Sequence, residues 1–335
     1  MTSGSEVDEA FWQLAASGST RAAIAHVLEL AAAGETVDRM IRGTLVPTQE
    51  QVGALWEADE WTIADEHVAT AVVDGVLGAL GLQTVVPTPP RGSVLVACVE
   101  GEHHTLPARM GVERLRADGW EVTFLGGSVG TQDLQRAVVV AEPGVVVLSC
   151  TVPLFLPGAG RCIGAVAELG VPVVAAGAGF GETSIIAERL GASGWITRDT
   201  DVDGTLERAR PAAPPTRDLH PEAMALELRD ADIRERCLAE LRQRIPAMRT
   251  FSAEQIAHTR ADLDSILDHV AVALEMDEAA LFADFVAWLT RVLQARGLPP
   301  SVLDTSLDTL AVVLRRTVLP EAARLCQHDR PPSVR

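Results

Sequence analysis

The chain has 335 residues, 47% of them apolar, and a formal charge of −18. This length predicts two or three domains, the apolar content excludes global disorder, and the acidic balance argues against a surface built to neutralise duplex phosphates. Every basic residue counted is an arginine, and the absence of Lys, Tyr and Asn excludes Schiff-base enzymes, pyridoxal phosphate enzymes and P-loop NTPases, which need a lysine in the site.

The N-terminus, MTSGSEVDEAFW, has neither the basic flank nor the apolar run of a signal peptide. No charge-free apolar stretch reaches the ~18 residues of a membrane span, so a cytoplasmic protein is expected. Five cysteines (Cys98, Cys150, Cys162, Cys237 and Cys326) are scattered without CxxC pairs, which indicates neither a zinc knuckle nor a disulfide framework. Residues 1–90 hold 3 Arg against 13 acids, residues 91–216 hold 10 against 14, and residues 217–335 hold 15 against 19. The negative charge is therefore concentrated at the front.

Residues 1–86 are expected to form a helical bundle. FWQLAASGSTRAAIAHVLELAAAG has apolar residues at helical spacing and ends at Gly34. Thr48 with Gln51 is a capping-box signal opening a helix through Trp56, and Thr62 with Asp65 is a second N-cap, opening a helix that stops at Gly81. The Pro-rich TVVPTPPRG is a linker. Residues 91–208 alternate β-branched runs (SVLVACV, EVTFLGG, GVVVLSC, VPVVAAG, GWITRD) with amphipathic segments. That alternation predicts βαβ units and five parallel strands in the flavodoxin-like, Rossmann-like order 2-1-3-4-5, with ligands beyond the strands' carboxyl ends. RARPAAPPTRD (208–218) is a second linker. Residues 217–335 are all-helical in pattern, with a capping box at Ser252 and Gln255, a break at Gly297-Leu-Pro-Pro, and about five helices.

Three loops at strand ends carry candidate chemistry. CVEGEHHTLPARM after the first strand places Glu102 and His104 where a sheet-end ligand would sit. A neutral imidazole is a good axial ligand for a transition metal, and a nearby carboxylate fixes its tautomer and raises its basicity; the alternative is a pair of solvated loop histidines. Ser149 and Thr151 after the third strand offer small hydroxyls to a buried polar tail, or ordinary strand-end capping. Gly177 and Gly179 after the fourth permit close approach of a large ligand.

The ordered set Glu102-x-His104-x-x-Pro107, Ser149-x-Thr151 and Gly177-x-Gly179 resembles the cobalamin-binding domain, with its D-x-H-x-x-G, S-x-L/T and G-G pattern. The resemblance spans roughly residues 10–205 and departs from the pattern at Glu102 and Pro107. It implies that His104 displaces the dimethylbenzimidazole base and coordinates cobalt from below, that the nucleotide tail threads between the later loops, and that the bundle covers the upper face of the corrin. Trp56, followed after nine residues by Glu66-His67, is similar to the W-x(9)-E-H signature of light-sensing adenosylcobalamin receptors. On one continuous helix Trp56 and His67 would stand about 16 Å apart, too far to enclose one adenosyl group. A turn at DEW instead folds Glu66 and His67 back towards Trp56. The resemblance implies that all three line the upper pocket. Glu57 stands where the related DNA-binding receptors have a histidine. Trp12 and Trp61 read as core.

The combination of cobalamin module and helical tail resembles the photocobilins, which implies a globin-like C-terminal domain binding a bilin, biliverdin. The arginines between Arg229 and Arg249 suit propionate recognition, or a solvated helix face. His220, His258 and His269 are candidate pyrrole or propionate partners. Phe251, Phe282, Phe285 and Trp288 would supply an aromatic wall, or an ordinary core stripe. The expected protein is a light sensor rather than an enzyme, with no direct DNA binding, no membrane, and a partner or second copy as output. The alternative is a corrinoid carrier for methyl transfer.

Overall fold

The computed structural model describes residues 8–84, 87–197, 200–210 and 220–328, so most of the second linker lies outside the described residues. The chain divides into two compact units, Met1–Pro215 and Thr216–Arg335. The helical bundle and the sheet thus form one body.

The first unit opens with α1 (Glu9–Ala16) and α2 (Thr20–Ala32). The expected single helix is broken at Gly18, whose φ of +70° no helical residue adopts. α3 (Val37–Met40) starts on Thr36, whose side chain accepts from the Arg39 amide, and runs through a π-helical turn (Ile41–Leu45) into α4 (Val46–Glu57). Thr48 therefore does not open a helix: it is buried inside one, and its hydroxyl donates to the Thr44 carbonyl at 2.8 Å. The Thr62–Asp65 capping box does open α5 (Ile63–Gln83), which runs two residues past Gly81. Asp59, at φ +61°, helps turn the chain between α4 and α5. α5 packs on α1, α2 and α4. Phe11, Leu45, Val73, Val76 and Leu77 lie fully buried between them, each contributing about 1.5–3 kcal/mol of apolar transfer.

The sheet strands are β1 (Ser93–Cys98), β2 (Glu121–Phe124), β3 (Val145–Ser149), β4 (Val173–Ala176) and β5 (Gly194–Ile196). All pairs are parallel, in the order β2-β1-β3-β4-β5 expected from the sequence. Five helices accompany them: α6 (Thr105–Ala117), α7 (Thr131–Ala141), α8 (Leu156–Ala167), α9 (Ile185–Arg189) and α10 (Val202–Arg208). β1 and β3 are buried along nearly their whole length, as their continuous Val/Leu runs require of a sheet covered on both faces. α6 also packs on α5, tying bundle to sheet.

Register positions the site. Cys98 pairs with Ser149 and Ser149 with Ala176, so β1, β3 and β4 end level with one another. The three loops that follow therefore emerge side by side.

The second unit is all-helical: α11 (Pro221–Arg244), α12 (Ala253–Glu275), α13 (Ala279–Ala295), α14 (Pro300–Arg316) and α15 (Pro320–His328). The Ser252–Gln255 box caps α12, and Gly297, at φ +75°, ends α13 ahead of Pro299 and Pro300. Ile233, Leu238, Val270, Phe282, Leu310 and Leu314 lie in its core. No helix among the described residues is long and apolar enough to cross a membrane.

Candidate functional site

Glu102 holds the centre of the site and is fully buried. Its Oε1 accepts from the His104 amide at 2.8 Å and lies 2.6 Å from His104 Nδ1. Its Oε2 accepts from the amides of Thr151 and Val152 at 2.8 and 3.2 Å. One carboxylate thus binds the loop after β1 to the loop after β3. Burial would raise its pKa, but the bonds from His104 and the backbone amides outweigh that and hold it below the ordinary carboxylate value. An ionised Glu102 can only accept, so Nδ1 of His104 is the protonated nitrogen. In the neutral ring Nε2 then keeps its lone pair. The hydrogen bond to Glu102 raises the His104 pKa against its partial burial, and the charges of Glu102 and Glu66 add to the rise.

His104 lines a cleft of about 730 Å³. α4 and α5 line the same cleft with Gln49, Glu66, His67, Thr70 and Asp74. Glu66 accepts from Thr70 at 3.0 Å and pairs with His67 Nδ1. Trp56 sits half buried near the end of α4 and is not among the lining residues. Trp12 and Trp61 stack with ring centroids 5.3 Å apart, beside Val52 and Ala69, as core residues do. Thr151 also lines the cleft, and its Oγ1 is buried without a hydrogen-bond partner.

A second cleft of about 690 Å³ runs along α6 to Gly177, Ala178, Gly181 and Trp195. A narrow channel of about 100 Å³ continues between α6 and the sheet, past Val96, Val147, Ser149 and Gly177. Pro107 lines all three cavities, which places them around the start of α6. It occupies the third position of α6, within the first turn, where its missing N–H breaks no helical bond. Gly177 has φ +103°, and a Cβ there would stand 2.3 Å from the Cys150 carbonyl oxygen; at Gly179 the distance would be 2.9 Å. Only glycine allows this loop to close on Cys150.

Sequence reasoning missed Gln49, Thr70 and Asp74. Glu66, Thr70 and Asp74 stand at i, i+4 and i+8 on α5, a polar stripe that helical periodicity could have shown. Gln49 lies on another helix and gives no local signal.

The C-terminal candidates do not gather. His220 precedes α11, with Nε2 3.2 Å from Glu321, and lines a cleft of about 300 Å³ with Ala273 and Asp277, at the far end of α12. His258 and Arg249 are exposed near the start of α12, and along that helix His258 and Ala273 lie about 22 Å apart. His269 is buried; its Nδ1 lies 2.7 Å from the Ser265 carbonyl oxygen, and its ring stacks on Phe285 at 3.6 Å. Phe282 and Phe285 are core residues, with Trp288 packed beside them. The side chain of Arg229 lies outside the described residues.

Among the described residues no three His, Cys, Asp or Glu side chains group as a metal site. The site offers His104 as one lone-pair donor, a roomy and mostly apolar cleft with polar side chains from α4 and α5, and a glycine-edged cavity along α6. That donor set fits a metal already carried by a large planar group with a tail, as in a corrinoid. Comparison with known proteins agrees: residues 92–203 match the B12 binding domain and residues 7–80 match a second B12 binding domain family. Two curated relatives come from Myxococcus xanthus. The HTH-type transcriptional repressor CarA is 30% identical over 126 residues, 38% of this chain and 42% of the repressor. The HTH-type transcriptional repressor CarH is 34% identical over 105 residues, 31% of this chain and 34% of the repressor. The chain thus matches less than half the length of either. A solved monomethylamine corrinoid protein from Methanosarcina barkeri, 18% identical, aligns with a TM-score of 0.51 over 59% of this chain and 95% of its own, a likeness of fold.

Proposed function

We propose that this chain is a photosensory protein, not an enzyme, that binds adenosylcobalamin in the cleft, where His104 would coordinate its cobalt. The observation that carries the reading is the wall facing His104. Glu66 and His67 of the W-x(9)-E-H pattern line the same cleft as His104, and the charge of Glu66 reaches it. When bound, adenosylcobalamin supplies a cobalt–carbon bond that light breaks.

The chain's own residues do the rest. Glu102 keeps His104 in the tautomer whose Nε2 can coordinate. Ser149 and Gly177 line the narrow cavity under α6 that would take the nucleotide tail. Glu66, His67, Thr70 and Gln49 provide hydrogen-bonding groups to the upper group. These sit on α4 and α5, and α5 packs on α1, α2 and α6. Losing the upper group therefore changes what α5 packs around, and the bundle repacks as a two-state element that signals to a partner. Biliverdin in the C-terminal unit is the second half of the proposal. It is supported by the resemblance of a cobalamin module followed by a helical tail to the photocobilins.

The test is to purify the chain with adenosylcobalamin and record its visible spectrum before and after illumination. A light-dependent change is expected; an unchanged spectrum overturns the sensor. Preference for methylcobalamin with cobalt(I) cycling would establish a methyl-transfer carrier instead. Co-expression with a biliverdin source tests the tail separately, since a missing bilin band retires only that half.

A further inference from the structure

Two guanidinium groups from different parts of the first unit line the second cleft. Arg42 stands in the π-helical turn of the bundle and Arg114 on α6 beside the sheet. Both donate Nε–H to one oxygen, Asp38 Oδ1, at 3.0 and 2.6 Å. One carboxylate therefore orients two cations, and no hydrogen bond from the Nη groups of either arginine occurs among the described residues. Arg42 and Arg114 are each about two-thirds or more shielded from solvent, with side-chain exposures of 35% and 20%. The acid of this lining, Glu182, is exposed. A chain of charge −18, most acidic in the bundle, thus presents paired, pre-aligned N–H forks at one place.

Guanidinium forks recognise phosphate and carboxylate by parallel hydrogen bonds. The same cleft is lined by the small residues Gly177, Ala178 and Gly181, with Trp195 and Thr197 beside them. Arg114 and Gly177 also line the narrow cavity under α6, with Asp118, whose burial favours its uncharged form, so an anion held here would sit at the mouth of that cavity with a group on either side of it. A phosphodiester has that shape, and a free carboxylate does not.

Resting on the cobalamin reading, we propose that Arg42 and Arg114, aligned by Asp38, bind the phosphodiester of a corrinoid's nucleotide tail and select complete corrinoids over those without the nucleotide. The pair couples bundle and sheet through the ligand, because each contributes one fork.

The experiment compares binding of cobalamin and cobinamide, which lacks the nucleotide and its phosphate, to the full chain and to R42Q/R114Q. Absorbance titration gives the affinities. The double variant should lose tenfold or more for cobalamin and less than twofold for cobinamide. The cobinamide arm also serves as the folding control and separates the tail's phosphodiester from a free phosphate, whose loss would not discriminate between the two. Equal losses in both arms, or no loss for cobalamin, overturn the proposal while leaving cobalamin binding intact. If the double variant binds neither corrinoid, R42Q and R114Q singly carry the comparison, and a loss that spares neither ligand overturns it. A wild-type chain that binds neither corrinoid overturns the cobalamin reading as well.

Discussion

The buried carboxylate of Glu102 joins the ring of His104 to the backbone amide of Thr151, 49 positions further along the chain. The side chain that orients His104, the proposed cobalt ligand, also fixes two sheet-end loops against each other, so it acts on ligand geometry and local stability together.

Substituting His104 by Ala should abolish the base-off, His-on spectrum of bound cobalamin, read by visible absorption. Glu102→Gln keeps the size but loses the charge, and its amide N–H₂ cannot accept from both loops. Corrinoid affinity should fall about 10–100-fold, the range for losing the group behind a metal-bound histidine. Equal affinity in wild type and E102Q would rule out the orienting role.

Gly177→Ala should destabilise the first unit by about 3 kcal/mol or more, because strained φ and collision with the Cys150 carbonyl combine. Gly34 has φ +97° with open space around the added carbon, so Gly34→Ala carries only the conformational part, about 1–2 kcal/mol. Denaturant melts of the two variants give the difference; equal costs would show that the loop relaxes.

His269 gives the second unit an acid-sensitive core. Burial depresses its pKa below 6.5, opposed in part by the hydrogen bond to the Ser265 carbonyl. The unfolded chain therefore takes up the proton first, so stability is complete above about pH 6.5 and falls as pH drops below that. His269→Phe preserves the stack on Phe285 and should flatten the decline between about pH 7 and pH 5. An unchanged slope in thermal midpoint would assign the acid sensitivity to other groups.

Thr62→Ala removes the hydroxyl of the α5 capping box and should cost about 1 kcal/mol. The first turn of α5 carries Asp65 and Glu66, so fraying there also loosens the upper wall of the cleft. Circular dichroism melts read the first effect and corrinoid affinity the second.

The sheet was legible because buried parallel strands impose continuous Val, Leu and Ala runs, and parallel topology follows from their alternation with helices. His104 and Glu102 were legible because they lie two residues apart at a strand end. The bundle was less so. Thr48 and Gln51 have the spacing of a cap, yet Thr36 had already started the helix, and a local pattern does not register an upstream start. Trp56 illustrates the limit of spacing alone: the turn before α5 exists as expected, while the lining of the cleft passes to Gln49 and Thr70, which lie 21 residues apart and meet only through packing of α4 on α5. The tail residues shared a composition rather than a place, because charge counts carry no information about which end of a helix each residue occupies.

The π-helical turn at Ile41–Leu45 has one more residue than an α-helical turn would hold. Deleting Gly43, Thr44 or Leu45 would restore regular helix and rotate everything before it by about 100° relative to α4. Arg42 and the Thr36 start would swing away from the cleft while the hydrogen-bond ladder stayed whole. A single-codon deletion in this stretch is thus a lesion that a measurement of helix content would not see and a ligand would.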